Sequence, residues 1–176
     1  APYEQVWFSD TDDYLSILAD AVDGEKDMGV DKDWPARFLL PLMAHNPNCK
    51  YVLASDCVDD ARACKDAVEQ DLMREASRIN DVVMERAAAY MQEGMTEREV
   101  ADYIVAQYAA EGCDSTAFLP IVSYGAHAAD PHHEADQTRL QAGDCIVIDM
   151  GCRKNRYCSD MTRTFFCKTV DPKYAA

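Results

Sequence analysis

Residues 143–166 read GDCIVIDMGCRKNRYCSDMTRTFF. Two β-rich runs lie on either side of a polar turn: Cys145–Met150, rich in Ile and Val, and Tyr157–Cys167, with Thr and Phe at close intervals. Arg153-Lys154-Asn155-Arg156 reads as a four-residue hairpin connection, which pairs Cys152 with Tyr157 and, counting back, sets Asp149 opposite Asp160 on one face. Their Cβ atoms are then about 5 Å apart. Like charges facing each other across a ladder are destabilising, so such a pair implies a raised carboxyl pKa or a cation between the two. Carboxylates at this separation suit two divalent ions roughly 3.5–4 Å apart, an arrangement that activates a hydrolytic water. The alternative is an ordinary hairpin with solvated aspartates, since Asp is common near turns for conformational reasons.

Upstream, Phe118–Tyr124 reads as a strand, with Pro120 suited to an edge or a strand start. Gly125–Asp136 is a loop that holds three of the four histidines, His127, His132 and His133, together with Glu134 and Asp136, which read as outer carboxylates of a site or as solvated loop acids. A long amphipathic helix is expected from about Ala67 to Gln92, because Val68, Leu72, Ala76, Ile79, Val83, Ala87 and Tyr90 recur at steps of three and four. Gly94 stops it. Thr96 with Glu99 forms a capping box for a second helix, whose Val100, Ile104 and Tyr108 face the core and which ends before Gly112. Helices followed by antiparallel strands make this region, residues 67–176, an α+β layer.

Residues 1–66 read as part of a separate small α/β domain. A helix capped by Ser9-Asp10 runs through Val22, a short strand covers Met28–Asp31, Pro35 opens a helix to Ala44, and a second strand covers Lys50–Ala54. This alternation predicts a βαβ unit with mostly parallel pairing. Trp7 and Trp34 read as packing residues and His45 as a surface histidine, so no chemistry is assigned here.

The formal charge of −15 argues against nucleic acid and anionic membranes as partners, both of which need a positive surface. No apolar run is long enough to span a bilayer and no signal peptide opens the chain, which reads as cytoplasmic. The eight cysteines are dispersed without a C-x-x-C pair and read as reduced structural thiols.

Four blocks, Ile121-Val-Ser-Tyr-Gly, Asp130-Pro-His-His-Glu, Gly143 to Gly151 and Tyr157 to Phe166, resemble in order and spacing the catalytic domain of the creatinase/aminopeptidase P family, with its pita-bread fold. The likeness is greatest to bacterial Xaa-Pro aminopeptidases and Xaa-Pro dipeptidases. In that family two metal-binding aspartates stand eleven residues apart and a catalytic histidine precedes the first by seventeen, offsets that fall here on Asp149, Asp160 and His132. Thr162, two residues past Asp160 and on its face, reads either as a residue that orients a ligating carboxylate or as a plain cross-strand contact.

The resemblance implies two divalent ions, manganese first with cobalt or zinc as alternatives, and a peptide substrate with proline at its second position. It also implies that one histidine and two glutamates from a second half-domain complete the ligand set. The chain begins with Ala1 rather than Met and stops at Ala176, so it reads as the first half of the pita-bread domain after a partial N-terminal domain, carrying a partial site. An unpaired sheet edge and an uncovered apolar face make a homo-oligomer the expected remedy. A creatinase-like amidohydrolase and a non-catalytic binding module on the same fold are the alternative readings.

Overall fold

The computed structural model describes residues 5–174. Contacts divide the chain into two units, the first ending at Cys64 and the second beginning at Lys65.

In the first unit, helix α1 (Tyr14–Ala21) starts later than the sequence suggests. Ser9 is occupied in a local turn, its amide and hydroxyl both donating to Asp12 Oδ2, and Asp13 is the residue whose carboxylate caps Ser16 N. Strand β1 (Met28–Val30), helix α2 (Ala36–His45) and strand β2 (Tyr51–Leu53) follow, and the strands pair in parallel with Met28 beside Tyr51, the expected βαβ unit. Helix α3 (Ser55–Ala63) lacks a side-chain cap and a dense apolar stripe, so nothing in its sequence announced it. Trp34 stacks on Phe38, whereas Trp7 is 86% exposed, contrary to its reading as a packing residue.

The second unit is mixed α and antiparallel β, as expected. Helix α4 (Ala67–Tyr90) opens on a reciprocal capping box between Asp66 and Glu69, and helix α5 (Glu97–Ala110) opens on the predicted box between Thr96 and Glu99. Ala76, Ile79, Val83 and Ala87 of α4 join Val100, Ile104 and Tyr108 of α5 in one core. Val68, which the stripe included, lies in the first turn and remains exposed.

The helices cover one face of a sheet of strands β4 (Ile121–Tyr124), β5 (Cys145–Met150) and β8 (Met161–Phe166). Ile146, Ile148 and Met150 point into the core, so Cys145, Val147 and Asp149 face the opposite side by the strand period. A second sheet is built from β3 (Ser115–Thr116), β6 (Cys152–Lys154) and β7 (Tyr157–Cys158). Both sheets belong to one bent ribbon.

The expected hairpin register needs correction. The turn is the two-residue type, with Asn155 and Arg156 at φ of 50° and 72°, the left-handed pair whose twist suits a hairpin. Arg153 therefore pairs with Cys158, and the register carries into the first sheet as Asp149 opposite Thr162, not Asp160. The slip is two residues. Parity survives it, so Asp160 remains on the side of Asp149 although it lies diagonally and falls across from Gly151.

Gly151 is where the ribbon turns from one sheet to the other. A Cβ there would lie 2.1 Å from the Ser159 carbonyl oxygen, and the crossing is fixed by Cys152 N donating to Ser159 Oγ and Ser159 N donating to Cys152 O. From the core side, the buried Asn80 amide donates to Met150 O while Tyr108 donates its hydroxyl to Asn80 Oδ1. We expect Gly151→Ala to cost about 2–3 kcal/mol through overpacking, read as a fall of roughly 4–12 °C in Tm. An unchanged Tm would show that the crossing is not tight.

Candidate functional site

The bend places the site. Asp149 ends the solvent-side row of β5, and Asp160 occupies the break between β7 and β8, so two strand ends and one close backbone approach bring the carboxylates together. Both line a cavity of ≈ 430 Å³ together with His132. One wall is apolar, built of Phe118, Leu119, Pro120 and Ile121, and Arg98 is its single lysine or arginine. Thus the three residues singled out in the sequence share one cavity, and Thr162 stands beside Asp149 in the adjacent strand.

The electrostatics are those of an uncompensated acid pair. Asp149 Oδ1 is buried without a hydrogen-bond partner. Asp160 has its pKa raised above the usual carboxylate value, first by desolvation, then by the charge of Asp149 and by hydrogen bonding to it. An orphaned buried oxygen beside a second carboxylate is a donor set that a hard or borderline divalent cation satisfies.

His132 is exposed at the tip of the loop, where its backbone amide donates to Asp130 Oδ1 at 2.9 Å. The loop itself is anchored by a residue the sequence reading did not select. Glu97, the first residue of α5, is fully buried, and its Oε1 accepts from Tyr124 N at 2.8 Å and meets His127 Nδ1 at 3.0 Å. Its Oε2 accepts from Asp136 N at 3.1 Å and meets His133 Nε2 at 2.7 Å. The helix N-terminus adds a favourable field for a carboxylate. His127 and His133, given weaker claims than His132, are therefore partners of Glu97, and their rings lie 4.0 Å apart between centroids.

A signal for Glu97 existed. It lies three, four and seven residues before Val100, Ala101 and Ile104, on the buried stripe of α5, where a charged residue needs a partner. The loop is also tied to α5 by Glu97 N donating to Thr138 O and Arg98 N donating to Asp136 O. All eight cysteines are free thiols, and none lines the cavity. Among the described residues no helix is long and apolar enough to cross a membrane.

The profile of metallopeptidase family M24 matches residues 71–176. The chain is 31% identical over 153 residues to the Xaa-Pro dipeptidase of Pyrococcus horikoshii, covering 87% of this chain and 44% of that protein. It superposes on the crystal structure of dipeptidase PepE from Mycobacterium ulcerans with a TM-score of 0.85 and 36% identity, over 94% of this chain and 45% of that one. The match to the prolidase of Thermococcus sibiricus has a TM-score of 0.90 and 28% identity, over 98% and 48%. The chain spans less than half the length of the curated relatives it matches.

Two outcomes follow for the isolated chain. Glu97→Ala leaves two amides and two imidazoles without their acceptor and should lower Tm by roughly 6 °C or more, from about 1–3 kcal/mol for each buried group left unpaired. Without metal, Asp160→Asn should raise Tm by about 1–2 °C, because a like-charge pair this exposed is worth on the order of 0.5 kcal/mol. Equal or lower stability for Asp160→Asn would show that the pair is not repulsive.

Proposed function

This chain belongs to metallopeptidase family M24, and we propose that the protein hydrolyses the peptide bond before proline, as an Xaa-Pro dipeptidase or aminopeptidase, at a site to which these residues contribute Asp149, Asp160 and His132. The observation that carries the reading is the buried, unpartnered Asp149 Oδ1 facing Asp160 in a cavity that His132 also lines. Membership of the family implies divalent metal ions. Asp149 and Asp160 would hold them, with manganese the first choice and cobalt or zinc the alternatives, and the ligand set would be completed by one histidine and two glutamates of a second half-domain. When bound, the ions supply a polarising charge and lower the pKa of a coordinated water.

The chain's own residues have separable tasks. Asp149 and Asp160 contribute negative charge on one side of the bend. Thr162, directly across from Asp149, is placed to orient its carboxylate. His132 stands where an imidazole can donate to a substrate oxygen or pass a proton to the leaving amine. The apolar wall of Phe118, Leu119, Pro120 and Ile121 offers a pyrrolidine ring a dry surface beside the charged groups, which supports a proline-containing substrate. The relative in Pyrococcus horikoshii is itself named an Xaa-Pro dipeptidase. The surplus of acidic side chains, a formal charge of −15, supports peptides over nucleic acid or anionic membranes as partners.

A creatinase-like amidohydrolase is the weaker reading, because enzymes of that kind do without the metal ligands and both aspartates are present here. Self-association of this half is also proposed, since the Asp149 face of the β4-β5-β8 sheet carries exposed Thr162 and Thr164. A monomeric mass by sedimentation at micromolar concentration would rule it out.

The test uses the protein with its complete catalytic domain, assayed on Xaa-Pro dipeptides, longer Xaa-Pro peptides, Xaa-Gly controls and creatine. Asp149→Asn and Asp160→Asn should each abolish cleavage and metal uptake. His132→Ala should lower kcat by about 10²–10⁴-fold while metal content is retained. Chelation should remove activity and manganese restore it. Full activity in Asp149→Asn, or creatine turnover without peptide cleavage, would overturn the reading.

A further inference from the structure

A second polar cluster lies outside the aspartate pair, on the core side of the loop that carries His132. Glu97, His127, His133 and Asp136 each present one ligand-type atom, and these four atoms all lie within 4.8 Å of one another. We propose that these residues form a second divalent-cation site, with zinc as the ion its donors suit, that pins the His132 loop to the N-terminus of α5.

The donor set is two imidazole nitrogens and two carboxylate oxygens, the mixed composition zinc accepts in a four-coordinate site. Zinc bonds of about 2.0–2.2 Å in a tetrahedral site place ligand atoms about 3.3–3.6 Å apart. The ring contact of the ligating Glu97 oxygen, His127 Nδ1 at 3.0 Å if Oε1 ligates or His133 Nε2 at 2.7 Å if Oε2 does, needs only a slight opening. Asp136 and His127 are the members with room to adjust, since Asp136 is exposed and the His127 side chain is 34% exposed. Glu97 and His133, at 0% and 14%, form the rigid side.

Charge points the same way. Asp136 adds a second carboxylate close to the buried Glu97. Two carboxylates and two neighbouring imidazoles are balanced by a single dication with both rings neutral, each ring offering a nitrogen lone pair while its proton sits on the other nitrogen. The backbone donors need not be displaced. Each oxygen of Glu97 takes one amide, from Tyr124 or from Asp136, and retains a lone pair for the ion. The site is distinct from the aspartate pair, because neither Asp149 nor Asp160 belongs to it.

The experiment uses the 176-residue chain carrying Asp149→Asn and Asp160→Asn, so that its outcome is independent of the proposed catalytic site. Calorimetric titration with zinc sulfate should show one ion bound, with a concurrent rise in Tm. His127→Ala and Asp136→Ala, added separately and checked for unchanged far-UV circular dichroism, should each weaken binding by roughly 100-fold or more. Cobalt in place of zinc should give the visible absorption of a four-coordinate nitrogen and oxygen site. Three results would overturn the inference: no zinc bound, binding retained in both added variants, or a thiolate-to-cobalt charge-transfer band placing the ion on cysteines.

Discussion

The contact on which the second unit depends is the approach of Gly151 to the backbone of Ser159. A hairpin that continued straight would keep its strands in one sheet and space its side chains evenly. Here the absence of a Cβ lets the two backbones cross at a distance no other residue permits, and the ribbon passes from the β4-β5-β8 sheet to the β3-β6-β7 sheet. Asp149 and Asp160 stand on either side of that crossing. Their proximity is thus a backbone property, set by a glycine, a serine hydroxyl and the buried Asn80 behind Met150, before any carboxylate interaction is considered.

Much of this was legible in the sequence, and the failures have definite causes. The helix stripe of α4, the Thr96–Glu99 box and the alternation of Ile146, Ile148 and Met150 are local patterns, and local patterns decided those elements. The register of the ribbon is not local. Four polar residues between two β runs can close as a four-residue loop or as a two-residue turn with flanking pairs, and Asn155-Arg156 lacks the glycine that usually marks the latter. The error of two residues left the face assignment intact because the strand period is also two. An error of one would have turned Asp160 to the other side.

Glu97 shows a different limit. A glutamate in the first turn of a helix is ordinarily a solvated residue favoured by the dipole, and that bland reading hides the position of Glu97 on the buried stripe. What surrounds it is the loop 125–136, which supplies two imidazoles and the Asp136 amide from a stretch that carries no regular pattern of its own beyond a short 3-10 turn at Gly125–Ala129. Loops acquire structure from such tertiary partners, so their side-chain roles are the last to be readable from sequence.

The two carboxylate groupings solve the problem of buried negative charge in opposite ways, and the contrast orders the chemistry. Glu97 is surrounded by donors on both oxygens, so it is committed to holding the loop and has little capacity left for a substrate. Asp149 is half-buried with its Oδ1 unanswered, and the charge it meets on Asp160 has the same sign. A fold that surrounds one acid with donors while leaving an oxygen of another unanswered does not lack donors; it withholds them. Unpaired acceptors in a cavity are a stability cost that persists where a ligand relieves it. On the proposed reading, the donor-rich Glu97 cluster sets where His132 stands and the unsatisfied pair sets where charge is brought in, so the loop and the ribbon bend together would define the reacting position.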